Sequence, residues 1–484
     1  MGALAVVALV GRLVALFAAF MLVPLGFAWI GHDGGERAFL LSTLITAGLG
    51  GAMSLAARRF RRELQPRDGF LLVSLTWTLL PAFGALPLWL ALPGLSVTDA
   101  YFEAMSGFTA TGSSVITGLD RLPQSVNVWR CLMQLVGGLG IVVLVVAVLP
   151  LLGIGGTQLL RAETAGPMKD TKLTPRIAET ARGLWSVYFG MALACFVAFH
   201  VAGMSWADAF MHMCATVGLG GFSSHDAGFM HWNSPAIEAV AVLFMVLAGV
   251  NFALYFVALR RRSLAVLWRD AEARAYLLVL LLAVLGITLY LQVHRVYDDP
   301  WTTLRHVMFN VVSVATTTGF AHVDYALWPA FAPATMLLLG CFVTCAGSTG
   351  GGLKMVRMLL LLKQARRELV RIVHPNVVNP VVFGGAAVDV RVMQSVIAYM
   401  MVYGATLVAL SMAMVFTGLD LVTAFSAIVG SLNNIGPGLG QVGPSGSYAG
   451  LSDLQTWICT LAMLLGRLEL LSVLVLLTPE FWRR

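Results

Sequence analysis

A short glycine-centred phrase returns four times in this chain, always in the same surroundings. It reads Ala110-Thr111-Gly112-Ser113, Leu219-Gly220-Gly221-Phe222, Thr317-Thr318-Gly319-Phe320 and Asn434-Ile435-Gly436-Pro437. The central glycines are 109, 98 and 117 positions apart. Each phrase follows an apolar stretch too short to cross a bilayer and lies between two stretches long enough to cross one. Four copies of helix, short helix, glycine turn and helix predict four quadrants around one hole. Such a plan suits an ion path better than an enzyme pocket.

Composition places that plan in a membrane. The chain has 484 residues, 58% of them hydrophobic and 11% charged, with mean hydropathy +0.84. Soluble domains carry about 25% charged residues. So few charges cannot cover a water-facing surface, so the chain reads as an all-α polytopic membrane protein. Apolar runs of about 20 residues span a bilayer. Ten candidates occur, near 3–30, 38–56, 69–93, 127–152, 183–203, 236–258, 275–294, 331–361, 393–416 and 454–479. The first is too long for a signal-peptide core and lacks a basic start, so it reads as a retained span.

The net charge of +7 has a topological explanation rather than a nucleic-acid one. Alternate loops are basic, with Arg58, Arg59, Arg61, Arg62 and Arg67 in one, Arg161, Lys169, Lys172, Arg176 and Arg182 in the next, then Arg260, Arg261 and Arg262, then Lys354, Arg357, Arg366, Arg367 and Arg371. The loops 204–235 and 417–452 contain no Lys or Arg. By the positive-inside rule the basic set is cytoplasmic, and so are both termini. Basic runs also attract anionic membrane lipid. The six cysteines lie in apolar segments without paired spacing and read as packing residues.

The resulting division is an extra helix pair over 1–66, then repeats over 67–160, 161–270, 271–380 and 381–484. The short helices are expected near 98–110, 205–218, 300–315 and 420–433. Ser96 with Asp99, Ser205 with Asp208, Thr417 with Asp420, and Asp299 before Pro300 read as N-terminal caps. A dozen helical residues span about 18 Å, half of a 30 Å hydrocarbon core. Each short helix therefore ends near mid-membrane, with the negative end of its dipole inward. Four such ends favour a cation. The candidate ion-binding residues are Ala110, Thr111, Gly112, Leu219, Gly220, Gly221, Thr317, Thr318, Gly319, Asn434, Ile435 and Gly436. There a positive φ at glycine turns successive carbonyls to one side, and rings of carbonyls replace an ion's water shell. Surface helices with ordinary glycine caps would explain one copy, but not four.

The span 331–361 is apolar except at residues 346–354, where Gly347, Ser348, Thr349, Gly350, Gly351, Gly352 and Lys354 should break the helix below the third phrase. The break reads as a gate, with a kink for close helix packing as the other reading. Arg467 falls near the membrane centre, where a charge needs a cavity or a partner. It is assigned to the cavity below the phrases, repelling cations or holding the loop by its carbonyls; a tie to another helix's end is the other reading. Glu469 lies off its helix face. Asp120, Asp226 and Asp324 follow the first three phrases, either as cation-concentrating charges at the outer mouth or as loop caps. His225 and His322 read as turn residues, and Glu103 as a structural group.

The four phrases resemble those of the Trk/Ktr/HKT superfamily of potassium transporters, most specifically Thr316-Thr317-Thr318-Gly319-Phe320 and Asn433-Asn434-Ile435-Gly436-Pro437-Gly438. Residues Gly347–Lys354 resemble its gating loop, and Gly466-Arg467-Leu468-Glu469 the charged turn of its last helix. The extra helix pair resembles the bacterial Trk-type pore subunit. The resemblance implies potassium uptake across a bacterial inner membrane, a homodimer, and a cytosolic ring of nucleotide-binding regulatory subunits. Glycine at the first centre, Gly112, goes with potassium rather than sodium in that superfamily. A symporter coupling potassium to protons or sodium is the alternative. No hydrolase elbow, paired catalytic carboxylates or Gly-Lys-Ser/Thr ending occurs, so neither an enzyme nor a nucleotide site on this chain is expected.

Overall fold

The computed structural model describes residues 2–57, 66–147 and 177–483. The basic residues Arg58 to Arg62 and Arg161 to Arg176, and the boundary at 160, lie outside the described residues. Helices follow one another through almost all of the rest. The strands among the described residues are a two-residue pair, Val382–Phe383 against Ala386–Ala387. Gly384 and Gly385 join them at φ 58° and 82°, the reversal a two-residue hairpin requires.

The first two helices, Gly2–Phe20 and Leu22–Gly31, run nearly as one span, and Glu36–Ala56 returns beside them. The crossing is close because small residues meet there. A Cβ on Gly11 would come within 2.6 Å of Ser54 N, and one on Gly50 within 2.5 Å of Ala15 N. Asp33 ties this pair to the next unit, accepting from Ser125 N at 2.7 Å and Ser125 Oγ at 3.1 Å.

Four units then follow with the same order. The long first helices are Pro66–Ala91, Ile177–Val201, Ala271–Val293 and Val390–Phe416. The short helices are Val97–Phe108, Trp206–Gly218, Pro300–Ala315 and Leu421–Leu432. The expected caps hold at Ser96, Ser205 and Asp299. At the fourth start the cap is Asp420 itself, accepting from Thr423 N at 2.9 Å. Thr417 instead ends the preceding helix, its hydroxyl donating to Met414 O. Each unit's inner helix packs on the next unit's short helix. Gln124–Ala147 meets Trp206–Gly218, Pro235–Ala248 meets Pro300–Ala315, Phe331–Gly340 meets Leu421–Leu432, and Asp453–Arg467 meets Val97–Phe108. The last contact closes the circle.

Six helices among the described residues are long and apolar enough to cross a membrane, or eight when each of two bent pairs is one span. Ten crossings were expected, one of them, 331–361, broken at its glycine-rich stretch. The expected span 127–152 falls on Gln124–Ala147, whose continuation is not described. The expected span 331–361 is broken as its glycine run suggested, although the helix already ends at Gly340. It is Phe331–Gly340, a non-helical stretch, and then Met355–Val373. The break was also expected in the third unit only, whereas the second and fourth break too. Pro235–Ala248 and Phe252–Arg261 meet at 89°, and Asp453–Arg467 and Leu470–Leu477 at 110°. No glycine run marks these two. Asn251 restarts the first by accepting from Ala253 N at 2.8 Å, and Glu469 restarts the second at φ 55°.

Candidate functional site

All four short helices end in the same way. The reversal comes at Ala110, Leu219, Thr317 and Asn434, with φ of 52°, 51°, 60° and 52°. The following amide then reaches back five residues: Thr111 N to Ser106 O at 2.8 Å, Gly220 N to Ala215 O at 2.9 Å, Thr318 N to Ser313 O at 2.8 Å, and Ile435 N to Gly430 O at 2.8 Å. This satisfies helix-end carbonyls as a left-handed cap does. The sequence suggested that the central glycine makes the turn. The helix actually turns two residues earlier, at a non-glycine residue in a conformation that L-residues adopt at a cost. The glycine supplies a second positive φ, at 86°, 76°, 83° and 96° for Gly112, Gly221, Gly319 and Gly436.

The glycines also need their missing side chains, and each meets the next phrase. A Cβ on Gly112 would lie 2.1 Å from Gly220 O. One on Gly221 would lie 2.1 Å from Thr318 O, one on Gly319 2.0 Å from Ile435 O, and one on Gly436 2.6 Å from Thr111 O. The series runs first to second to third to fourth and back to first. The four phrases therefore face one another around a common axis. Asn434 closes the seam between last and first, donating to Thr111 Oγ1 at 2.9 Å and Met463 O at 3.1 Å. A cavity of about 610 Å3 opens on one side of this ring, lined by Gly112, Gly221, Gly319 and Pro437 and, farther out, by Asp226 and Asp324.

On the other side lies the glycine-rich stretch. Thr349 Oγ1 donates to Val217 O at 3.0 Å, at the end of the second short helix. Gly351 N donates to Thr317 Oγ1 at 2.8 Å, at the end of the third. A Cβ on Gly351 would strike Asn433 O at 2.1 Å, at the end of the fourth. Gly347 accepts from Phe252 N at 3.1 Å, and Ser348 Oγ donates to Cys345 O at 2.6 Å. Gly350 and Gly352 sit against Thr344 and Cys341. Two cations hold the stretch by its carbonyls. Lys354 Nζ donates to Gly350 O, and Arg467 donates through Nη1 to Thr349 O at 2.9 Å. Arg467 also reaches Gly137 O at 3.4 Å in the first unit. Its side chain is 3% exposed, so it is not facing open water.

A family model described as "Cation transport protein" matches residues 36–484. The Trk system potassium uptake protein TrkH of Salmonella typhimurium is 44% identical over 480 residues, covering 99% of both chains. The chain belongs to the TrkH family. The Trk system potassium uptake protein TrkG of Escherichia coli K12 is 37% identical over 98% of this chain and 97% of its own. The crystal structure of the potassium transporter TrkH from Vibrio parahaemolyticus superposes with TM-score 0.92 at 40% identity, covering all of both chains. The fold is thus an all-α polytopic membrane protein with four repeats around a central axis.

In this TrkH-family chain the outer carboxylates all bond loop amides. Asp120 accepts from Asp226 N at 3.2 Å, Asp226 from Gly118 N at 3.0 Å, and Asp324 from Ala326 N at 3.0 Å. Asp226 and Asp324 also face the cavity. The His225 ring beside Asp120 holds its carboxyl below the ordinary value. His322 is not a turn residue on the surface. It is 2% exposed, with Nε2 2.8 Å from Glu238 Oε1 and Nδ1 3.1 Å from His306 Nδ1. His225 likewise joins a cluster rather than standing alone.

Glu103 and Glu469 were noted in the sequence, but their partners, and the supporting residues Arg130, Gln134 and Glu272, were not. Glu103 pairs with Arg130 at 2.7 Å, both fully enclosed, and accepts from Val115 N at 3.0 Å. Gln134 donates to Gly220 O at 2.6 Å and accepts from Phe222 N at 3.1 Å. Arg130 and Gln134 are polar residues in an apolar span, the signal that drew attention to Arg467. Glu272 accepts from Ala346 N at 2.8 Å and Val356 N at 3.1 Å, so one carboxylate oxygen holds both ends of the glycine-rich stretch. Glu469 pairs with Arg357 at 2.7 Å, not with its neighbour Arg467.

Proposed function

We propose that this chain is a potassium-selective pore that carries the ion into the cytoplasm and is gated by residues 347–354. The observation that carries the reading is the closed series of glycine-to-carbonyl approaches linking Gly112, Gly221, Gly319 and Gly436. Backbone oxygens ringed about an axis substitute for the water shell of a dehydrated alkali ion, and four helix C-termini aimed at that axis favour positive charge. The twelve residues of the four phrases are the filter. Asp226 and Asp324 raise local cation concentration at its mouth, and Asp120 braces that rim. The potassium uptake named for the Salmonella and Escherichia relatives supports the cargo.

Gating rests on position. The stretch from Gly347 to Gly352 contacts three short-helix ends on the side of the ring away from the cavity, and Lys354 and Arg467 bond its carbonyls. Opening requires those bonds to be released together. We place the chain in the bacterial inner membrane with both termini cytoplasmic, as a homodimer, contacted by a ring of nucleotide-binding regulatory subunits. Nucleotide control enters through that ring, and this chain holds no nucleotide. The units 67–160, 161–270, 271–380 and 381–484 supply one quadrant each, and 1–66 is the added pair.

Rubidium flux into liposomes containing the purified chain tests the reading. Flux is expected with a rubidium gradient alone, reduced by competing potassium and indifferent to sodium. Flux that requires a proton or sodium gradient, or that ignores potassium, overturns it.

A further inference from the structure

The loops that join the first two units at the rim exchange hydrogen bonds in both directions, Gly118 N to Asp226 and Asp226 N to Asp120. This crossing brings Asp120 and His225, 105 positions apart, into direct contact through Oδ1 and Nδ1. The His231 ring lies flat on the His225 ring, centroids 3.6 Å apart and planes 7° apart. Asp120, His225 and His231 each bring one ligand atom to within 4.8 Å of the others. We propose that these three side chains form a binding site for a late first-row divalent metal of the zinc class.

The chemistry of the donors selects the ion. Two imidazoles and one carboxylate suit zinc, nickel or copper, whereas magnesium and calcium prefer oxygen alone. In a tetrahedral zinc site with ligands at about 2.0–2.1 Å, neighbouring donor atoms stand about 3.3 Å apart. Asp120 and His231 are exposed, so small rotations of their side chains bring the donors from their present span towards that value. His225 is already oriented. Its Nε2 faces Asp208 Oδ1 at 3.4 Å, an ion-pair contact longer than a hydrogen bond, so a small approach would give the carboxylate–histidine pairing that orients metal ligands generally. Asp208 is itself fixed, accepting from Ser205 Oγ at 2.7 Å and Ser224 Oγ at 2.8 Å. Trp232 packs edge-on against both rings, at 5.1 Å and 4.9 Å, and limits their rotation. An ion here pins the first unit's loop to the second unit's loop. The site does not depend on the conduction reading.

The test is metal binding by the purified full-length chain, using zinc alone in chelator-free buffer and equilibrium dialysis. One zinc ion per chain is expected at saturation, with no competition from a large excess of magnesium. His225→Ala and His231→Ala are each expected to weaken binding by about tenfold or more. Zinc is also expected to raise the melting temperature of the parent chain by more than that of His231→Ala at the same zinc concentration, since stabilisation grows with affinity for the folded state. His231 is exposed, so its replacement keeps the test open if His225→Ala does not fold. A parent chain without saturable binding, or variants that bind zinc as the parent does, overturns the site.

Discussion

The Arg467 guanidinium donates to the Thr349 carbonyl at 2.9 Å, across 118 positions of chain and from the fourth unit to the third. This bond joins the last residue of the helix Asp453–Arg467 to the stretch proposed as the gate. A hydrogen bond from a charged donor contributes about 1.5–3 kcal/mol. Arg467→Ala removes it together with the positive charge, so rubidium influx into proteoliposomes is expected to rise about tenfold or more. Arg467→Lys keeps the charge without the second contact to Gly137 and should fall between. Unchanged flux in both variants would discard the gating role.

The central glycines differ in clearance. A Cβ comes within 2.0–2.1 Å of a carbonyl at Gly112, Gly221 and Gly319, but 2.6 Å at Gly436. Alanine at any of them meets an oxygen and adds a strained positive φ of about 1–2 kcal/mol. Influx should be abolished in the first three variants and partly kept in Gly436→Ala, measured at matched protein amounts. Equal loss at all four would contradict this ranking.

Glu272 accepts two buried amides through one oxygen. Glu272→Ala leaves both without that partner, at about 1–3 kcal/mol each. Its melting temperature should fall clearly, whereas Glu272→Gln, which keeps an acceptor oxygen, should recover most of the loss. A glutamine variant as unstable as the alanine variant would show that the charge, not the two amides, is what matters.

The Glu103–Arg130 pair is enclosed, so removing one partner strands a charge. Glu103→Ala is expected to destabilise the chain by about 3–5 kcal/mol. The double replacement Glu103→Leu with Arg130→Met should cost less than that single change. Thermal melting of the single and double variants measures the coupling, and additive losses would refute it.

Much of this was legible in the chain because the repeat imposes it. The short helices carry their own caps, so three of four starts were read correctly from Ser96, Ser205 and Asp299. The fourth was misplaced because Thr417 and Asp420 both fit a cap, and only the backbone distinguishes them. The broken helices at Asn251 and Glu469 were missed because a single polar residue in one and a charged turn in the other do not by themselves say that a helix bends there. His322 was misjudged because its partners, Glu238 and His306, are distant in sequence and meet it only in the folded chain.

The sequence by itself determined that this is a membrane protein of four repeated units with a glycine at each centre. Charge scarcity and apolar run length are local properties, and a repeat needs no coordinates to be seen. Only the tertiary structure decided that Gly112, Gly221, Gly319 and Gly436 each abut the next phrase in a closed series. It also decided which cations lie on the loop and which carboxylates are engaged by loop amides. The glycine series, the Arg467–Thr349 bond and the Asp120–Asp226 bond join residues about a hundred positions apart or more. No local pattern encodes them, because a contact between units depends on how four separate helix packings add up around one axis.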